Sequence, residues 1–534
     1  MARRLKFWGW GFEDEVVPQP ELDWMESTWS KRFGVDGFTV NPKPAAEDIK
    51  LPPPRIQPPA SLADICTTDH YERVLHSYSK SFPDIIRVYN RECPAPCDVV
   101  ALPRNEQDIV DLLDWCYRVN AVVVPFGGGS SVVGGVTPPT QGSHAAVVSI
   151  DMRRLDKVLE IDTTSQAARI QAGTFGPSLE AQLKGAGLTL RHFPQSFQCS
   201  TLGGWIATRA GGHFATVYTH IDDLVESLRV VTPSGVMETR RLPGSGAGPS
   251  PDRMMIGSEG TLGIITEAWM RVRPRPTFRA TASVQFADFY QGADAVRALT
   301  QSGLFPTNCR ILDAEESHYN GLADGRHSVL VVGFESADHP VDAALARALE
   351  LCRDHGGKPD GGTGEHAHLD GAAGRWRQRF MFLPYFKEHM AARCIFRDSS
   401  ETAITWDRFK EFHASVRNAT LEAIRKVTGR EGSVSCRFTH VYPDGPAPYF
   451  TFHGLSSSQG RLMDNYWAVK AAASEAIVAG GGTITHHHSV GREHMPWYKR
   501  QRPELFARAL GAAKSALDPQ WLLNPGILVE RELT

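Results

Sequence analysis

The chain has no run of about 18 apolar residues, so no segment is long enough to cross a bilayer as a helix. It has almost no net charge: 60 acidic against 57 basic side chains leave −3 with histidine neutral. A protein that grips nucleic acid by counterion release needs a basic face, and this balance excludes it from that class. Cysteine is scarce and unpatterned, with nine residues scattered from Cys66 to Cys436. Free thiols in a reducing compartment are expected. The tightest pair, Cys93 and Cys97, is stiffened by Pro94 and Pro96 and matches neither a redox C-x-x-C nor a zinc knuckle. The basic N-terminus lacks the apolar segment of a secretory leader, and the C-terminal Glu-Leu-Thr is neither a peroxisomal nor a retention address. A cytoplasmic location is expected.

Glycine is in excess instead, at 48 of 534 residues. That is above the usual ~7%, and the surplus is concentrated in a few loops. Hydrophobic residues at 42% and charged ones at 22% are ordinary for a folded chain. A single core rarely exceeds about 250–300 residues, so two or more domains are expected. Residues 1–94 read as an N-terminal arm followed by a helical region. The first 60 residues are aromatic, then proline-rich, and read as an irregular arm whose tryptophans dock it on the body. Residues 95–275 alternate short strands and helices. The apolar runs at Val99–Leu102 and Val122–Val124 read as strands, and Ile109, Leu112, Leu113 and Cys116 recur at helical spacing. Residues 276–480 read as an α+β domain on an antiparallel sheet, with strands at Ala282–Phe286, Val329–Phe334 and Tyr449–Phe452. Helices are expected at Tyr290–Ser302 and Val341–Cys352, and loops at 237–252 and 357–375. Residues 481–534 form a closing segment.

Three glycine-rich segments carry the first chemistry. One is Pro125-Phe126-Gly127-Gly128-Gly129-Ser130-Ser131, directly after a strand. Consecutive glycines let successive N–H groups point into one concavity that can hold a pyrophosphate. It is neither the dinucleotide G-x-G-x-x-G nor a P-loop. The second runs from Gln195 through Ser200, Thr201 and Gly204 to Thr208-Arg209-Ala210-Gly211. The third is Glu259-Gly260-Thr261-Leu262-Gly263-Ile264-Ile265. Small residues beside hydroxyls and amides suit close approach to a large flat ligand with a polar tail.

In this order the three segments resemble the FAD-binding domain of the vanillyl-alcohol oxidase type, over residues 95–275 plus the closing Leu522-Leu523-Asn524-Pro525-Gly526. The resemblance implies a two-subdomain FAD-binding domain with an α+β cap, and FAD as cofactor.

The cap region holds two constellations, Arg437–Phe450 and Thr485–Gly491. In the second, His486, His487 and His488 are adjacent. If that segment is extended, only His486 and His488 share a face, so a zinc site would need ligands from elsewhere, and no metal is expected. Imidazoles suit proton transfer and anion binding near neutral pH. The D-2-hydroxy-acid dehydrogenases of this fold carry E-H-G-x-G where this chain has His487-His488-Ser489-Val490-Gly491. That departure argues against them. Both constellations resemble the alkyldihydroxyacetonephosphate synthases instead, as do Lys6-Phe7-Trp8-Gly9-Trp10-Gly11-Phe12 and Cys309-Arg310-Ile311-Leu312-Asp313. An FAD-dependent oxidoreductase acting on a 2-hydroxy acid or alcohol is the alternative.

That resemblance implies exchange of the acyl group of acyl-dihydroxyacetone phosphate for a long-chain fatty alcohol, with no net redox change. The reaction needs a base, an anion site and an apolar path. Tyr449 matches the family's catalytic tyrosine, His487 the histidine that assists it, and Arg310 an arginine near the flavin. His486 and His488 are implied beside phosphate or flavin, and Thr439 shares the Tyr449 motif. On its own, Tyr449 reads as a sheet aromatic and Arg310 as a surface ion-pair partner. Lys387 stands where the family has an arginine and loses its bidentate fork. Arg377, Arg379, Phe380, Phe382 and Leu383 form a candidate mouth for an acyl chain. A homodimer without nucleic acid is expected, in peripheral contact with a membrane, because a long-chain alcohol comes from a bilayer.

Overall fold

The computed structural model describes residues 3–531 except 141, 143, 215, 217, 218, 365–373 and 375–381. The N-terminal segment is not irregular throughout. Gln19–Phe33 is a helix with Pro20 in its first turn, and Gly34 ends it in the left-handed conformation at φ 62°. Met25, Trp29 and Phe33 recur on one face and are buried in a cluster with Leu5, Phe7, Trp8 and Trp10. The arm is therefore held by apolar burial. That cluster extends to Tyr385, Phe386 and Met390, on the far side of the chain.

Two large sheets, with a two-stranded one of Leu188–Thr189 and Arg273–Pro274, build the region between residues 66 and 274. In a four-stranded sheet, Ala146–Asp151 runs parallel to both Val99–Ala101 and Ala121–Phe126. The helix Glu106–Arg118 makes that crossover, capped by the Asn105 side chain accepting from Asp108 N–H. A five-stranded antiparallel sheet has the order Val158–Asp162, Ala167–Gln171, Ile264–Arg271, Val225–Thr232, Gly235–Glu238. The closing segment returns here: Val123 N–H donates to Leu522 O at 2.9 Å and Asn524 N–H to Val123 O at 2.8 Å.

The cap is a seven-stranded antiparallel sheet. Its order is Lys358–Gly364, Phe278–Phe286, Ser328–Ser336, Asn308–Leu312, Ser433–Val441, Pro446–Leu455, Ile395–Glu401. Lys358–Gly364 lies within a segment expected to be a loop. It is an edge strand, where proline and glycine are tolerated because one side needs no ladder partner. The helices Phe289–Gln301, Asp342–Asp354, Phe409–Thr428 and Gln459–Ala479 bury apolar stripes in the core shared with this sheet. Strand alternation leaves the sheet's other face polar, and that face bounds the site. No described helix is long and apolar enough to cross a membrane. All nine cysteines are free.

Candidate active site

The valine-rich strand Ala121–Phe126 ends at Gly127, and from there the backbone runs against the second glycine-rich segment. A Cβ on Gly128 would overlap the carbonyl oxygen of Cys199, and one on Gly127 would overlap the Thr201 hydroxyl. One cavity follows this contact. Gly127, Gly128, Gly129, Ser130 and Ser131 line one stretch; Gln195, Ser200, Thr201, Gly204, Thr208, Ala210 and Gly211 line the next. A neighbouring cavity shares Gly127, Ser131, Thr201, Gly204 and Thr208, and adds Pro125, Phe126, Glu259, Gly260, Gly263, Ile264 and Ile265. The three segments thus form one glycine-walled slot. Such walls admit a flat ring and a long polar tail closely, which fits FAD.

Two of the expected cofactor residues do not line the slot. Arg209, at φ 51°, caps the helix Leu202–Thr208 and donates to Asp222 Oδ2 at 2.8 Å. Thr261 turns its hydroxyl into its own loop, donating to Ser258 O at 2.7 Å. Gly128→Ala is expected to abolish FAD retention, because the rigid carbonyl it meets is backbone and cannot move aside. The purified variant should lack flavin absorbance, and a variant retaining full FAD would rule out this close approach as the reason for glycine.

The polar face of the cap sheet forms the opposite wall. Arg437 pairs in register with Tyr449 and with Leu312, two residues beyond Arg310. Thr451 pairs with Ser435 and Ser399, and Arg397 lies two residues before Ser399. Period-two alternation therefore turns Arg310, Arg437, Tyr449, Thr451, Arg397 and Ser399 to one side. All six line the cavity, together with Thr439, Lys387, His440, His487 and His488. The Arg437 guanidinium carbon sits 4.0 Å from the Tyr449 ring centroid, and its charge is paired with buried Glu316. Arg310 is fully buried, not a surface residue, and donates to His213 O at 2.9 Å. Burial, then the charge of Arg437, pushes it down to about 9.

The histidine triplet is not extended. Its backbone wraps the buried carboxylate of Glu401, which accepts from His486 N–H at 2.7 Å, His487 N–H at 3.1 Å and His488 N–H at 3.0 Å. The Thr485 hydroxyl donates to the same group. This turn brings His486 and His487 together, with their Nδ1 atoms 3.0 Å apart. His487 stacks on Tyr449 at 6.2 Å between centroids, and His488 meets that ring edge-on at 5.5 Å. His486 does not line the cavity. Its Nε2 is 2.7 Å from the Tyr442 hydroxyl and 3.3 Å from His220 Nε2. Burial, then neighbouring His487, pushes His486 well below the ordinary imidazole range, and burial pushes His488 down to about 3. His440, His486 and His487 hold ring nitrogens within 4.8 Å of one another. Those rings already have partners: His440 Nε2 meets Gly212 O at 2.9 Å.

Lys387 lines the cavity, but its ammonium pairs with Asp398 Oδ1 at 3.2 Å and donates to Lys80 O at 3.3 Å. Of the candidate acyl-chain mouth, Arg377, Arg379 and Phe380 lie outside the described residues. Phe382 stacks on Tyr385 at 5.5 Å, and neither it nor Leu383 lines the cavity. Glu401, Arg397, His440 and Thr451 belong to the site without having been singled out in the sequence. His440 lay within the Arg437–Phe450 constellation; for Arg397 and Thr451 the signal is alternation on strands that face the cavity.

Two family models match the chain, an FAD binding domain over residues 96–240 and the C-terminal domain of FAD linked oxidases over residues 275–528. FAD is accordingly the cofactor of the chain. The chain is 31% identical to an alkyldihydroxyacetonephosphate synthase of Trypanosoma brucei brucei, over 92% of this chain and 84% of that protein. It is 30% identical to that of Dictyostelium discoideum over the same shares. A solved alkyldihydroxyacetonephosphate synthase superposes with a TM-score of 0.80 at 26% identity, covering 98% of both chains. A p-cresol methylhydroxylase shares the fold, with a TM-score of 0.70 at 14% identity. The glycine-walled slot, the α+β cap and this end-to-end likeness place the chain in the alkyldihydroxyacetonephosphate synthase family of FAD-binding proteins.

Proposed function

We propose that the chain replaces the acyl group of acyl-dihydroxyacetone phosphate with a long-chain fatty alcohol, forming the ether bond of an ether-lipid precursor. The observation that carries this reading is one cavity with an FAD wall on one side and Tyr449, between Arg437 and the His487 and His488 rings, on the other. FAD, when bound there, supplies an electron-accepting ring for a bond exchange without net redox change. Tyr449 Oη takes a proton from the substrate carbon bearing the acyloxy group, with the Arg437 guanidinium over its ring. His488, held neutral by burial, is suited to pass a proton rather than to keep a charge. The fatty carboxylate leaves with the electrons of its C–O bond, the alcohol oxygen forms the new C–O bond and gives up its proton, and Tyr449 returns a proton to the carbon, so carboxylate and one proton are released. Arg310 and the other cationic residues of the wall favour the anionic substrate.

Peripheral membrane contact and a cytoplasmic location belong to the same proposal. The exposed pair Leu505 and Phe506, at the start of the helix Glu504–Leu517, is the candidate point of contact. The test is anaerobic incubation with palmitoyl-dihydroxyacetone phosphate and labelled hexadecanol presented in vesicles. Label in an ether product without flavin reduction is expected. Flavin bleaching by a 2-hydroxy acid or alcohol, with no ether product, would replace this reading by an oxidoreductase. Co-sedimentation with the vesicles is expected to fall in Leu505→Asp, and unchanged sedimentation would move the contact elsewhere.

A further inference from the structure

The cap wall carries more positive charge than its own acids balance. Arg310, Lys387, Arg397 and Arg437 all line the cavity, and Asp398 is the one acid among its described lining residues. Asp398 is already taken, by Lys387 at 3.2 Å, by the Tyr466 hydroxyl at 2.8 Å and by Lys470 at 3.5 Å. Arg437 has Glu316. Arg397 is different. Its described hydrogen bond is a long one, from Nη1 to Leu383 O at 3.4 Å, and no described carboxylate lies within 4.0 Å of it. Burial pushes it below its ordinary range. A guanidinium in a low-dielectric cavity is costly unless an anion meets it.

The strand geometry adds a second group. Arg397 and Ser399 share a face of the strand Ile395–Glu401, and Ser399 is in register with Thr451. The Thr451 hydroxyl is buried on that face, lines the same cavity and has no hydrogen-bond partner among the described residues. A buried hydroxyl beside an arginine without a carboxylate is a donor pair that lacks its acceptor. Lys387, by contrast, lies on the side of Asp398 and neutralises it.

We propose that Arg397 and the Thr451 hydroxyl form an oxyanion subsite for the substrate, taking either its phosphate monoester or the carboxylate that departs. This rests on the acyl-exchange reading above and specifies which residues hold charge in it. Planar guanidinium and hydroxyl together can donate three parallel hydrogen bonds to such a group.

The test titrates the FAD-loaded chain with inorganic phosphate and, separately, with palmitate, following the perturbation of flavin absorbance. Arg397→Gln is expected to weaken one of the two ligands at least tenfold, and Arg397→Lys to restore part of that loss. Thr451→Val, close in shape, is expected to weaken the same ligand by a smaller factor. It carries the test if Arg397→Gln fails to fold. Loss in the phosphate arm assigns the headgroup; loss in the palmitate arm assigns the leaving acid. Both affinities within twofold of the parent chain in every variant, or a parent chain that binds neither anion, would overturn the subsite. A chain that makes no ether product but whose anion affinity falls with Arg397 would sink the synthase reading and leave this one standing.

Discussion

Replacing Tyr449 with phenylalanine is expected to lower ether formation by about 10²–10⁴-fold, the range of a lost general base, while FAD stays bound. The change removes one oxygen and leaves the ring. That ring lies on the strand Pro446–Leu455, beneath the Arg437 guanidinium and against the His487 and His488 rings. Its packing is retained, so the fold should lose no more than about 1 kcal/mol. The cation stays too, so the variant separates proton abstraction from substrate attraction: turnover should collapse with little change in the affinity for substrate. Single-turnover incorporation of labelled hexadecanol measures the first, and titration of flavin absorbance the second. A loss below tenfold would move the base to one of the histidines.

The glycine segments were legible in the sequence for a physical reason. At Gly127 and Gly128 two backbones approach so closely that any side chain would collide, and that demand leaves a mark at the position itself. Arg209 and Thr261 carried the same motif signal but answer to neighbours, Asp222 and Ser258, that a motif does not encode. The N-terminal helix was hidden because the prolines around it dominate the composition, although Met25, Trp29 and Phe33 already held helical spacing. Lys358–Gly364 looked like a loop because edge strands escape the usual penalty on glycine and proline. The triplet's shape was not legible at all. It is set by Glu401, some 85 residues earlier in the chain, and no local pattern in Thr485–His488 points to a carboxylate beneath it. Arg397 was passed over because a lone arginine in a strand reads as surface until the pairing of its strand with the one carrying Thr451 and Tyr449 is known.

Glu401 is therefore where a single change should alter both stability and chemistry. Its carboxylate accepts three successive backbone N–H groups and the Thr485 hydroxyl, and pairs with His487 Nδ1 at 3.2 Å. Burial alone would raise this acid. The His487 and His488 rings and the His487 hydrogen bond outweigh it and hold Glu401 well below the usual carboxylate range. A glutamine at this position has one acceptor oxygen and turns two N–H donors toward a turn already made of donors. Glu401→Gln is expected to cost about 3–5 kcal/mol, as when one partner of a buried pair is removed. It should also lower ether formation, because the rings flanking Tyr449 lose the anchor that aims them. The pH dependence distinguishes the charge from simple packing. The folded chain holds this acid at a lower pKa than the unfolded chain, where it titrates near ~4.3. Between those values the unfolded chain binds more protons, so the stabilisation is fully present above the unfolded pKa and fades as pH falls toward the folded one. The difference in melting temperature between the parent chain and Glu401→Gln should be widest near neutral pH and narrow below about pH 4. A difference that stays constant from pH 7 into that acid range would mean that Glu401 holds the triplet by shape rather than by charge.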